Sequence, residues 1–180
     1  MREFIMSAKG MMLLFIVVMS QGISTGQAVK ITMHGKLVAE PCTLAPGDEK
    51  KEVFLGHIGP AFLYENGRTA GTDFTLRLEN CDVSGLKAVT VTFSGTEDCE
   101  LPGHLAINTT CTTRGVAIGL ETAQGKFLPL LTESDSQILV NGSNAINLRA
   151  FVRASPKAII NHAIIPGAIN ATATFVLNYS

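Results

Sequence analysis

Along residues 171–180, ATATFVLNYS, the small and apolar side chains fall on alternate positions: Ala171, Ala173, Phe175, Leu177 and Tyr179 share one face. Thr172, Thr174, Val176, Asn178 and Ser180 take the other. A period of two predicts a β-strand with one face buried. The strand is rich in β-formers and free of charge, so any edge left without a neighbour invites another strand to pair with it. The same period opens residues 29–42, VKITMHGKLVAEPC, where Val29, Ile31, Met33, Gly35 and Leu37 face one way and Lys30, Thr32, His34 and Lys36 the other. Nothing turns the chain before Pro41. Continued to Leu44, the run would span about 50 Å at roughly 3.3 Å per residue, against about 17–20 Å for a common strand. One sandwich cannot cover all of it, and part is expected to stand outside the domain.

Between these ends the pattern predicts short strands. Residues 53–58 read as an apolar strand ending at Gly59-Pro60, and residues 62–71, with Asn66-Gly67 and no period, as a loop. Residues 73–80 alternate with Phe74, Leu76 and Leu78 inward and bring Cys81 beside Cys42. Val89, Val91 and Phe93 form the next inward set, with Thr90 and Thr92 outside. Residues 95–113 read as a loop. Val116, Ile118 and Leu120 follow, then a tight turn at Gln124-Gly125 before residues 127–131. Ile146, Leu148, Ala150 and Val152 come after Asn141-Gly142, and a loop from Pro156 to Pro166-Gly167 leads into the last strand. No segment shows sustained helical spacing. Short strands separated by Gly, Pro and Asn predict an all-β sandwich. The body supplies about six principal strands where an immunoglobulin-like sandwich has seven, which leaves a groove exposing the core. The chain ends carry both a spare strand and the place it would fill.

Composition adds compartment. A basic start with Arg2 and Lys9, the apolar run of residues 11–18 and a small, polar exit through residues 20–26 describe a secretory signal peptide, cut after Ser24-x-Gly26 to leave Gln27 first. The run is shorter than the roughly twenty apolar residues a bilayer span needs. What remains, about 150 residues, suits one domain. The formal net charge is −1 and the exported part has no Lys/Arg run, so neither nucleic acid nor a membrane surface is an implied partner.

Four cysteines, Cys42, Cys81, Cys99 and Cys111, lie in the exported part. In an oxidising compartment an even count predicts two disulfides. Of three possible pairings, Cys42–Cys81 joins neighbouring strand ends and Cys99–Cys111 closes a local loop. No CxxC or HxxxH spacing supports a metal site, and no cofactor is expected. His34, His57, His104 and His162 are scattered without a nucleophile, carboxylate-pair or phosphate-loop motif, so no enzyme and no small-molecule substrate is expected.

These residues resemble the subunits of chaperone–usher fimbriae, most of all the minor tip subunits of type 1 fimbriae. The carriers are VKITMHGKLVAEPC, the Phe93-Ser94-Gly95 that closes a strand, the Cys42 and Cys81 spacing, and the ending GAINATATFVLNYS, with Gly167 fourteenth from the end and Tyr179 penultimate. The resemblance implies an incomplete immunoglobulin-like β-sandwich lacking its final strand, completed by donor-strand complementation, a form of β-strand addition. It implies residues 1–26 as signal, 27–38 as donor extension and 39–180 as pilin domain. It makes Val29, Ile31, Met33, Gly35 and Leu37 the groove-filling face of the donor, with Gly35 at a tight fourth site. Ala173, Phe175, Leu177 and Tyr179 become the acceptor strand that a periplasmic chaperone first pairs with, basic chaperone residues holding the carboxylate of Ser180. The implied partners are that chaperone, an outer-membrane usher and neighbouring fimbrial subunits; the implied destination is an extracellular fimbria reached through the periplasm. Within it the resemblance favours a minor tip adaptor over the rod unit. The rival is an adhesive subunit that binds a receptor through residues 95–113 or 141–144.

Overall fold

The structure, a computed structural model, describes residues 40–85, 87–107 and 114–180. The donor positions Val29, Ile31, Met33, Gly35 and Leu37 lie outside the described residues. So does Cys111, and with it the Cys99–Cys111 pairing.

Seven strands are present among the described residues: β1 (Thr43–Leu44), β2 (Thr72–Cys81), β3 (Ala88–Gly95), β4 (Val116–Thr122), β5 (Gln137–Ile138), β6 (Gly142–Ala154) and β7 (Ala173–Tyr179). They form a four-stranded sheet in the order β1-β2-β6-β4 and a three-stranded sheet in the order β5-β3-β7, with every pair antiparallel. The inward sets of the two sheets make one core: Leu76 and Leu78 of β2, Val89, Val91 and Phe93 of β3, Ile118 and Leu120 of β4, and Ile146, Leu148 and Val152 of β6. These are the alternations that the sequence predicts.

The disulfide between Cys42 and Cys81 is formed, and both residues are buried. Simple alternation from Leu76 and Leu78 would turn Cys81 outward. The register shifts between Leu78 and Cys81, where Asn80 adopts φ 52°, a left-handed value that Asn tolerates. That bulge reverses the parity of the strand and delivers Cys81 to the buried side. Closing a loop of 39 residues stabilises the fold by about 4 kcal/mol on the chain-entropy model.

Three expectations fail. Residues 62–71 are not a plain loop: Pro60–Asn66 is a helix, α1, started by Pro60 at its first position and stopped by Gly67 at φ 73°. A second helix, α2 (Pro156–Ile160), lies in the segment read as a loop around Pro156; Ser155 Oγ caps it by accepting a hydrogen bond from the Ala158 amide at 3.0 Å. Both are too short for a 3.6-residue period to register. The strand predicted at residues 53–58 is also not there. Its apolar residues Val53, Leu55 and Ile58 do pack on the core, but no backbone hydrogen bond joins residues 52–58 to another described residue.

The four-stranded sheet is covered on its outer face as well. Phe151 of β6 is buried on the side away from the core, its ring lying against His104 and Phe127 with the Arg68 guanidinium 3.6 Å from its centre. This layer explains why β4 is buried on both faces, a pattern that alternation does not reveal.

Candidate functional site: an open groove beside the last strand

β7 is bonded to β3 along its whole length, from Gly95↔Ala173 through Phe93↔Phe175 and Val91↔Leu177 to Val89↔Tyr179. On its other side no described strand pairs with it. The side chains record the difference. Val89, Val91 and Phe93 on β3 are 1%, 0% and 4% exposed, whereas Ala173, Phe175, Leu177 and Tyr179, which point to the same side of the same sheet, are each only partly buried. The core is covered under β3 and left open beside β7.

That opening is a groove of about 1550 Å³. Its floor is apolar, with Phe74 and Leu76 of β2, Phe93 of β3, Ile118 and Leu120 of β4 and Ala150 of β6. The Phe93 ring stands 6.5 Å from Phe74 and 6.2 Å from Phe175, so an aromatic row runs from the floor up to the wall. One wall is formed by residues 167–175, which run into β7, and the other by residues 49–59. The volume exceeds the roughly 300–1,000 Å³ of a small-molecule pocket. Its walls are extended backbone rather than convergent polar side chains. What such a cleft can do chemically is accept a β-strand: main-chain groups would bond to the walls, and alternate side chains would enter the core.

The second wall has a single polar root. Past β1 the Ala45 amide still donates to the Arg77 carbonyl at 2.8 Å, and the chain then turns through a short 3₁₀ segment, Asp48–Lys50. The Asp48 carboxylate is 1% exposed and accepts from the Arg77 amide (2.8 Å), Arg77 Nε (3.0 Å), Arg77 Nη2 (3.1 Å) and Lys51 Nζ (3.0 Å). The Arg77 guanidinium, its amide and the Lys51 ammonium together hold the Asp48 carboxyl well below the usual carboxylate range, outweighing its burial. A stretch rich in Gly and charge thus includes a buried anion. No pattern in the sequence singles it out.

Of the acceptor positions expected from the sequence, Ala173 and Phe175 line the first wall, Leu177 and Tyr179 continue the same face of β7 beyond it, and burial raises the Tyr179 phenol above its ordinary pKa. Ser180 continues the ladder: its amide donates to Ala88 O at 3.0 Å, and its carbonyl oxygen accepts from the Lys87 and Ala88 amides at 2.8 and 3.0 Å. The histidines do not assemble. His57 lies against Phe54, His162 against Tyr64, and His104 is buried between Phe127 and Phe151, donating from Nδ1 to Pro102 O at 3.0 Å. Sequence reasoning missed the wall of residues 49–59 as a groove element, although the alternation of Val53 and Leu55 was its signal.

A family model described as Fimbrial protein matches residues 31–180. The chain belongs to this fimbrial family. It is 36% identical over 146 residues to the major MR/P fimbria protein of Proteus mirabilis strain HI4320, covering 81% of this chain and 80% of that one. It is 35% identical over 166 residues to the fimbrial adapter PapK of Escherichia coli, covering 87% and 92%. The crystal structure of the P pilus rod subunit PapA superposes with a TM-score of 0.67 at 25% identity, over 78% of this chain and all of that one. The two-sheet fold of this fimbrial subunit is therefore the incomplete immunoglobulin-like sandwich, and the open side of β7 is where the sandwich is short of a strand.

Proposed function

We propose that the chain is a structural subunit of a chaperone–usher fimbria whose groove is completed by the N-terminal extension of a neighbouring subunit. The carrying observation is the groove itself: apolar positions half-covered along β7, with an unpaired edge on either side of an apolar floor. Five core-facing positions, Ala171 to Tyr179, follow one another on and just before β7, and five alternate positions, Val29 to Leu37, mark the extension. Residues 27–38 would serve as donor for the next groove and residues 39–180 as the acceptor domain, with residues 1–26 removed on export. A periplasmic chaperone would occupy the same groove in transit, and an usher would release the subunit to the extracellular fibre. No bond chemistry is required. The likeness to the adapter PapK over most of both chains supports an adaptor near the tip, present in a few copies per fibre.

Deleting residues 27–38 tests the assignment of the two ends. The truncated subunit should still co-purify with the chaperone and accept a donor, yet give none, and so terminate detergent-resistant pairs on gels. Failure of the truncated chain to bind chaperone would place the extension in the subunit's own fold and overturn the proposal. Copies per purified fibre decide the rank: a rod unit would appear in great excess over every other subunit.

A further inference from the structure

The groove has two walls, and they are held in different ways. β7 is fixed by seven ladder positions on β3. Residues 52–58 have no ladder with any described residue; among the described residues they are held by the partial burial of Val53, Leu55 and Ile58 and by their two ends. One end is the start of α1, where the Phe62 amide donates to Gly59 O at 3.1 Å. The other is the Asp48 turn.

The geometry of that turn assigns Asp48 a role in the proposed donor-strand exchange: we infer that it is the positioning residue that fixes the second wall across the groove from β7. Its carboxylate takes the place of a backbone acceptor at the point where the chain leaves β1, capping the Arg77 amide of β2, whose neighbour Leu76 forms the groove floor. Through Lys51 the same carboxylate reaches the residue that leads into the ladder-free part of the wall. The groups facing it are Arg77 from β2 and Lys51 from its own turn. Glu79 sits near Arg77, and Glu49 turns away to accept from the Gly47 amide at 2.7 Å. Arg77 and Lys51 are partly exposed and keep water as an alternative partner, so the buried carboxylate is the member whose loss frees the wall. A wall free to shift has to be ordered again by each incoming strand, and that ordering subtracts from affinity.

The inference rests on the donor-strand reading, and the test separates the two. The full chain, as wild type, D48N and R77K, is titrated with a synthetic peptide of residues 27–39, QAVKITMHGKLVA, between pH 7 and pH 2.5, with hydrogen exchange of the complexes read by residue. At pH 7, D48N should weaken peptide binding about tenfold, the scale of one charge-assisted hydrogen bond, and R77K by less in the same direction. The ratio of the wild-type and D48N affinities should hold down to pH 2.5, because in the folded subunit the Asp48 carboxyl, held well below the usual carboxylate range by Arg77 and Lys51, stays ionised over that interval. Protection at residues 52–58 should drop in D48N with β7 protected as in wild type. A residue that merely stabilised the fold would lower the unfolding midpoint on substitution and leave the affinity of the folded subunit unchanged. Equal affinity of wild type and D48N would overturn the inference alone. No binding of the peptide by wild type would overturn the donor-strand reading and the inference with it. Should D48N fail to fold, R77K carries the test, and an R77K chain that binds as wild type overturns the inference.

Discussion

Gly119 of β4 faces Phe151 of β6, and the aromatic ring lies where a Cβ on residue 119 would have to stand. The pairing lets Phe151 lie flat across the strand and build the outer layer with Phe127 and His104. Gly119→Ala should therefore overpack the site and cost about 1–3 kcal/mol, read as a lower urea midpoint at unchanged slope. Asp48 supplies a pH dependence whose sign is definite. Its native pKa is depressed, so the stability it contributes is fully present above the ordinary carboxylate value near 4 and is lost as the pH falls through the acid range below it. Unfolding midpoints measured from pH 6 to pH 2 should decline less steeply in D48N than in wild type. Neither residue is legible in the sequence. Gly119 sits in an apolar run that alternates correctly around it, and Asp48 sits in GDEKKE, which has the composition of a solvated turn. Their roles come from tertiary neighbours, Phe151 and Arg77, that lie 32 and 29 positions away.

At the level of elements, alternation located every long strand, because each has one face on the common core. It missed what is too short to show a period, and it did not reveal a second buried face. β4 is buried on both sides, and the two helices are seven and five residues long, marked only by Pro at the start and, for α1, Gly at the stop. Residues 52–58 are the instructive miss. The side chains carry a strand pattern, yet a strand is defined by its ladder, and the described fold offers this segment no neighbour. When a donor strand binds, these residues should become strand in fact. Their amides are expected to exchange rapidly in the free subunit and to gain protection in the complex, together with the amides on the free side of β7. Protection confined to β7 would mean that the donor pairs with one wall only.

Over the whole molecule, the groove was legible as a deficit. A strand count one short of seven, a spare alternating run at one end and an uncharged strand at the other point to completion by another chain. What the sequence could not show was the second wall or its root at Asp48, since both depend on where the chain turns after β1. The fold and the family agree with that deficit: beside β7 no described strand covers the core, and the solved fimbrial subunits superpose on the same framework. The claim that joins these observations is that the groove is finished by a donor strand. Thermal unfolding of the subunit with and without a peptide of residues 27–39 tests it most directly. At a peptide concentration about a hundredfold above the dissociation constant, binding should stabilise by about 2.7 kcal/mol and raise the midpoint by about 5–10 °C. The same peptide carrying Gly35→Leu should give a smaller rise, and a scrambled peptide none. A midpoint that the native-sequence peptide leaves where the scrambled one does would contradict the account, because it would show a sandwich that needs no further strand.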